Sequence, residues 1–166
     1  RHPLIHCITN YVSINDCANI VLACGGAPIM AEDINEVSQI TSICQGLDIN
    51  IGMLNDNKLS SMLKAGATAN ELGIPVILDP VGAGSSDYRI KAVQNLMSNV
   101  HFGVIRGNVS EIKAIAAKQG IHNIAAGVYD TMQKNKSAMG VEAGIADKIT
   151  DDNIKEMADF INKLSQ

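Results

Sequence analysis

Gly73-Ile74-Pro75-Val76-Ile77-Leu78-Asp79-Pro80-Val81-Gly82-Ala83-Gly84 is the segment on which the fold turns. Pro75 to Leu78 is a short apolar run rich in β-branched side chains. That pattern predicts a strand buried on both faces of a parallel sheet rather than one with a wet side. The run ends at a carboxylate and enters a glycine-rich turn. Before it, apolar spacing predicts a helix over roughly 56–72, stopped by Gly73; after it, a second helix covers about 87–98. A buried strand between two helices is the unit from which parallel α/β sheets are built.

The same alternation extends in both directions. Phe102 to Ile105 is the next strand, and a helix opens near Ser110. Toward the N-terminus, Leu4–Ile8, Ala27–Met30 and Leu47–Ile51 are three further strands. Helices over about 12–24 and 33–44 separate them, the second opened by Asp33 with Glu36 three residues on. Five strands alternating with helices predict a mostly parallel sheet in a three-layer α/β/α domain with right-handed crossovers. Beyond Lys118 the pattern weakens. Residues 120–146 read as an irregular insertion, and a capped helix follows from Thr150 or Asp151 to Leu164. A further parallel strand should come next, so the single domain spanning 1–166 is expected to be incomplete, truncated at the C-terminus. The opening Arg1-His2-Pro3-Leu4 reads as the start of a strand, with a leading segment expected before it.

Composition narrows the function classes. The chain has 166 residues, 46% hydrophobic and 18% charged, enough for one globular core. Aromatic residues are 3% with no Trp, which leaves no stacking platform for single-stranded nucleic acid. A net charge of −4 without a basic run excludes a phosphate-backbone partner. No apolar run reaches membrane length and no signal peptide is visible, so a cytoplasmic protein without membrane contact is expected. The cysteines at 7, 17, 24 and 44 form no C-x-x-C pair. Cys17 and Cys24, one heptad apart on an apolar helix face, read as buried thiols.

In open parallel sheets, ligands bind beyond the carboxyl ends of the strands. Here those ends carry Thr9-Asn10, Met30, Gly52, Asp79 to Gly82, and Arg106-Gly107-Asn108. Asp79, at the tip of an apolar strand, is either an Asx turn before proline or a carboxylate facing a metal or ligand. Asn108 and Glu111 have the spacing of a capping box. The same helix start offers open amides to an anion, with Arg106 as a planar cation beside it. Glu111 and Asp79 on neighbouring strand ends suggest a shared Mg²⁺ site. Asn10 reads as a helix cap or a pocket residue, and Met30 as apolar lining. His6 and His101 read as packed or surface groups. No G-x-G-x-x-G opens a helix, no P-loop is present, and no Ser-His-Asp or Cys-His order suggests an acyl enzyme.

Five segments together resemble one family. I-T-N at 8–10, G-A-P-I-M-A at 26–31, N-I-G at 50–52, A-N-E-L-G-I-P-V-I-L-D-P-V-G-A-G at 69–84 and I-R-G-N-V-S-E-I at 105–112 are similar to hydroxyethylthiazole kinase, a ribokinase-like enzyme of thiamine salvage. The resemblance runs from Pro3 to Lys118 and resumes at Gly140-Val141-Glu142-Ala143. It implies transfer of the ATP γ-phosphoryl group to the hydroxyl of 4-methyl-5-(2-hydroxyethyl)thiazole, with Mg²⁺. It assigns Met30, Asn10 and Gly52 to the thiazole, Arg106 and Asn108 to ATP, and Glu111 and Asp79 to the metal. A homotrimer with pockets between subunits is also implied.

The departures from that family are specific. Its glycine-rich catalytic turn, and a threonine-glycine turn that contacts ATP, would lie beyond Gln166. No catalytic residue is therefore expected in this chain, which would be roughly the first 60% of such an enzyme by typical domain lengths. Met53 follows Gly52 where the family more usually has threonine. Residues 121–139 have no family counterpart. Two other readings follow: a thiazole-binding or subunit-interaction half-kinase without turnover, and a related superfamily kinase for another small alcohol.

Overall fold

The computed structural model describes residues 2–119. Two compact units divide the chain, Arg1–Glu111 and Ile112–Gln166, the second described only to the end of a helix at Gln119. The insertion at 121–139 and the helix expected at 150–164 lie outside the described residues.

The elements alternate throughout: β1 (Leu4–Ile8), α1 (Ile14–Ala23), β2 (Ala27–Ile29), α2 (Val37–Ile43), β3 (Gly46–Asn50), α3 (Asp56–Glu71), β4 (Val76–Asp79), α4 (Asp87–Asn99), β5 (Val104–Ile105) and α5 (Val109–Gln119). Among the described residues every strand pairing is parallel, in the order β2-β1-β3-β4-β5. The α/β reading from the sequence holds, with boundaries moved by a residue or two. The second helix starts late. The Asp33 carboxylate caps a turn by accepting from the Asn35 N–H, so α2 begins only at Val37.

Strand parity sorts the sheet into two faces. On one, His6 pairs with Leu47 and Leu47 with Val76, while Ile8, Ile49 and Leu78 form the next row; all are buried. Helices α2 and α3 pack on this face, α3 also against α4, and Met62, Ala65, Val93 and Leu96 complete the core. Each fully buried Leu or Ile here contributes roughly 1.5–3 kcal/mol. His6 is a packed group: its Nδ1 bonds Thr41 Oγ1 and its Nε2 bonds the Ala31 carbonyl oxygen. Its pKa is lowered by burial. Gly66 lets α3 approach the segment after α4, since a Cβ there would meet Val100 Cγ2 at 2.5 Å.

The other face carries Cys7, Asp48, Ile77 and Val104 in one register row. Helix α1 lies on it, its Cys17 thiol beside Cys7 and Asp48. Helices thus flank the sheet on both sides. This face corrects two expectations. Ile77 and Val104 are each 42% exposed, so Pro75–Leu78 is not buried on both faces within the first unit. The period-two alternation of a strand puts Ile77 on the same face as α1, but α1 packs at the β1–β2 end of the sheet and does not cover β4. Helix α1 has no fully buried residue, with Cys17 half-buried and Cys24 exposed. Cys24 sits at the helix end beside Gly25, whose φ of +83° turns the chain out of the helix.

Candidate functional site

The carboxyl rim of the sheet is built at one level. Asn50 and Asp79 are register partners at the end of β3 and β4. Arg106 continues the ladder beyond β5 by donating its N–H to the Leu78 carbonyl at 2.9 Å. Strand order therefore lines up Met30, Asn10, Gly52, Asp79 and Arg106 from one side of the rim to the other. Met30 follows β2 directly and is half-buried; the next residue, Ala31, is fixed to β1 through His6.

The centre is a hydrogen-bonded chain. Asn50, 8% exposed, donates through Nδ2 to Asp79 Oδ2 at 3.0 Å. Its Oδ1 accepts from the Gly52 N–H at 2.8 Å and from Asn10 Nδ2 at 3.2 Å. Asn10 Oδ1 in turn accepts from the Ser13 N–H and hydroxyl, so this residue caps the turn into α1 and reaches the site at once. Gly52 is a glycine for a steric reason. A Cβ would meet Asn50 Oδ1 at 2.9 Å and Asn10 at 3.1 Å.

Asp79 is where the charge sits. Arg106 Nη1 donates to Oδ2 at 3.1 Å, while Oδ1 is buried without a hydrogen-bond partner. Asp79 is therefore no Asx turn. Burial raises its pKa, Arg106 opposes the rise, and the Glu111 charge adds to it. The Arg106 side chain is 77% exposed, so the ion pair is worth at most about 1 kcal/mol. It holds an exposed cation at the rim and adds little to the stability of the fold. One of its five N–H donors meets the carboxylate, which leaves a fork for an anion's oxygens.

The start of α5 is a complete capping box. Glu111 Oε2 accepts from the Asn108 N–H at 2.8 Å, and Asn108 Oδ1 accepts from the Glu111 N–H at 3.0 Å. Glu111 Oε1 also accepts from the Gly82 N–H at 3.0 Å, which ties this helix start to the turn after β4. The φ of +67° at Gly82 brings that amide round. Capping and site-building coincide in these residues. Each Glu111 oxygen keeps a second lone pair, and Asp79 Oδ1 keeps both. Two carboxylates with spare oxygens beside an arginine fit a hard cation such as Mg²⁺ and its waters.

Two cations missed in the sequence hold the rim loops. Arg89 on α4 donates through Nη1 to the Ile51 carbonyl at 2.6 Å and the Val81 carbonyl at 2.8 Å, and through Nη2 to the Gly52 carbonyl at 2.8 Å. Lys58 on α3 is buried. Its Nζ donates to the Thr9 carbonyl at 2.7 Å, pairs with Glu32 at 2.7 Å and lies 4.4 Å from the Tyr11 ring centroid. Tyr11 also donates its hydroxyl to Glu32. Asn50 was missed too; its signal is a polar residue ending an apolar strand at the level of Asp79. A hollow of about 480 Å³ lined by Asn70, Met97, Val100, Phe102 and Ile105 lies beside the segment entering β5, and none of the rim side chains named above lines it.

Comparison with known proteins places these motifs. The model described as the hydroxyethylthiazole kinase family matches residues 1–153. A hydroxyethylthiazole kinase of Clostridium acetobutylicum is 52% identical over 99% of this chain and 55% of its own length. One of Methanobrevibacter smithii is 46% identical over 99% of this chain and 54% of its own. The solved structure of the hydroxyethylthiazole kinase protein of Pyrococcus horikoshii aligns with a TM-score of 0.68 at 36% identity, covering 82% of this chain and 50% of that one. The chain thus spans about half the length of the curated relatives it matches.

Proposed function

The chain belongs to the hydroxyethylthiazole kinase family, and from that premise we propose that its rim serves transfer of the ATP γ-phosphoryl group to the hydroxyl of 4-methyl-5-(2-hydroxyethyl)thiazole. The observation that carries this reading is Asp79, whose Oδ2 takes Asn50 and Arg106 while its Oδ1 is buried without a partner, with the Glu111 charge acting on the same carboxyl. A carboxylate kept that way is costly unless a cation or donor arrives. Mg²⁺ would be held by Asp79 and Glu111 and would neutralise phosphate charge when bound. Arg106 swings its exposed fork from Asp79 onto phosphate oxygens, and the Asn108 helix start presents amides to the same anion. Phosphoryl transfer asks the protein mainly for positioning and charge neutralisation, which these groups supply.

The thiazole occupies the other half of the rim, against Met30, with Asn10 and Gly52 beside it. Asn50 joins the two halves, so substrate and phosphate groups are set from one hydrogen-bonded frame. Assembly as a homotrimer and a cytoplasmic location belong to the same proposal.

The test measures thiazole binding and ADP release by the chain with ATP, Mg²⁺ and hydroxyethylthiazole. Thiazole phosphate and ADP forming in equal amounts supports the kinase reading. Thiazole binding without ADP release supports the half-kinase reading. Absence of both overturns the assignment of this rim. Arg106→Ala should raise the KM for ATP and leave that for thiazole near its starting value; an unchanged ATP dependence removes Arg106 from the phosphate site.

A further inference from the structure

Among the described residues, one trio of metal-donor side chains converges, and it lies on the sheet face rather than at the rim. The Sγ atoms of Cys7 on β1 and Cys17 on α1 and a carboxylate oxygen of Asp48 on β3 all lie within 4.8 Å of one another. Cys7 and Asp48 are register partners on adjacent strands, and Cys17 is lowered onto them by α1. Three different elements supply the three donors. Among the described residues, neither thiol forms a disulfide and the carboxylate has no ion pair.

Packing accounts for only part of this cluster. Two adjacent thiols behave as small hydrophobes; Cys7 makes a weak contact to the Ile5 carbonyl at 3.9 Å and shares a thiol–thiol hydrogen bond with Cys17. Asp48 does not fit that account. It stands in mid-strand between Cys7 and Ile77 in register and accepts no hydrogen bond from any described residue. Its charged neighbours are Asp79, which opposes ionisation, and Arg106, which favours it; burial exceeds both and raises its pKa to about 6. Burial also raises the pKa of both thiols, and the Asp48 charge adds to the rise. Three donor atoms from three elements thus converge within 4.8 Å, with no described donor fixed on the Asp48 carboxylate.

Donor chemistry selects the ion. Two sulfurs and one oxygen are too soft a set for Mg²⁺ or Ca²⁺ and match Zn²⁺. Donors around tetrahedral zinc stand about 3.3–3.8 Å apart, given Zn–S near 2.3 Å and Zn–O near 2.1 Å. Closing from a 4.8 Å spread takes about an ångström, which the half-buried Cys17 and Asp48 side chains can supply by rotamer adjustment. The geometry points to a zinc site formed by Cys7, Cys17 and Asp48, with water in the fourth position. Binding exchanges two S–H bonds for two S–Zn bonds and releases two protons to solvent, while Asp48 enters already ionised above about pH 6.

Co²⁺ titration of the reduced, chelator-washed chain tests this directly. The expected result is one equivalent bound with a thiolate-to-cobalt charge-transfer band, tetrahedral ligand-field absorption, release of two protons near pH 7, and loss of both absorptions on adding Zn²⁺. Cys17→Ser should abolish most of the charge-transfer intensity and Asp48→Asn should weaken affinity at least tenfold, whereas Cys24→Ser should change neither. Circular dichroism checks the variants' folding. Co²⁺ bound without sulfur charge transfer, an unchanged spectrum in Cys17→Ser, or no stoichiometric binding overturns the site. Cobalt at Asp79 and Glu111 would lack the sulfur band, so success or failure here is read independently of the kinase assignment.

Discussion

Asn50 Nδ2 donates to Asp79 Oδ2 at 3.0 Å between register partners at the last level of β3 and β4. That bond engages one carboxylate oxygen together with Arg106 and leaves the other bare. It also couples Asp79 to Asn10 and Gly52, because Asn50 Oδ1 accepts from both. The strand pairing sets the geometry, so the frame is as rigid as the sheet itself.

Asn50→Ala removes three hydrogen bonds from a residue 8% exposed. Leaving the Gly52 N–H and Asn10 amide without an acceptor should cost about 1–3 kcal/mol of stability. In thiazole and ATP binding, both affinities should fall together, since the residue serves both halves of the rim. Calorimetric titration with each ligand checks this; loss confined to one ligand would refute the shared frame.

Arg89 should act as a tie between loops rather than a ligand for substrate. Its charged hydrogen bonds to the Ile51, Gly52 and Val81 carbonyls are worth about 1.5–3 kcal/mol when lost. Lysine keeps the charge but cannot span three acceptors with one nitrogen. Arg89→Lys should therefore speed amide hydrogen exchange at Gly52 and Gly82 about tenfold and leave the β4 amides unchanged. Equal protection in both proteins would show that the loops stand without it.

Gly52→Ala should hurt the rim more than the fold. Its Cβ would press on Asn50 Oδ1 at 2.9 Å and on Asn10 at 3.1 Å, displacing side chains at the loop and sparing the core. Thiazole affinity should drop at least tenfold with a loss of stability of about 1–2 kcal/mol. Wild-type thiazole affinity in this variant would separate Gly52 from the pocket.

Much of this was legible because local pattern and tertiary role agree. The apolar run ending at Asp79 fixed a strand, a rim position and a carboxylate together. The spacing of Asn108 and Glu111 announced the capping box that the structure contains. What stayed hidden depends on contacts between residues far apart in sequence. Lys58 and Arg89 occupy ordinary helix positions, and nothing local says that their tips reach Thr9, Glu32 or Gly52. Ile77 misled because β-branched runs look alike whether a helix covers their second face or not; in the first unit α1 covers only the β1 side. Asp48 is a single polar residue in an apolar strand, and only the register of β3 on β1 puts it on the same face as Cys7.

Gly66→Ala isolates the packing of α3. The added methyl would meet Val100 Cγ2 at 2.5 Å, a separation no relaxed structure keeps, and Val100 is itself buried. Helix propensity would gain up to about 1 kcal/mol from alanine, but overpacking costs about 1–3 kcal/mol. Net destabilisation is expected, read as a lower urea midpoint at unchanged slope. A stabilised variant would mean that α3 and the segment after α4 separate without cost.

Asp48 gives the stability of the metal-free chain a sign in pH that most paired carboxylates lack. Burial first, and the Asp79 charge second, raise it from the ordinary aspartate value near 3.9 to about 6, with Arg106 pulling the other way. Cys7 and Cys17, the thiols against it, are neutral over this range as any thiol is, and burial moves them further from it. Between about pH 4 and pH 6 the native state holds a proton that the unfolded chain has released. The contribution of Asp48 is therefore fully present below about pH 4 and is lost as pH rises through about 6. Asp48→Asn has nothing to ionise, so the stability difference between variant and parent should grow in the variant's favour across that window and then level off. Urea unfolding at pH 4, 5, 6 and 7 under chelator measures it, and parallel curves would mean that Asp48 is solvated like a surface carboxylate. With Zn²⁺ bound the charged form is the one retained and two thiol protons leave as well, so the parent's stability in the same series run with the metal should rise with pH instead.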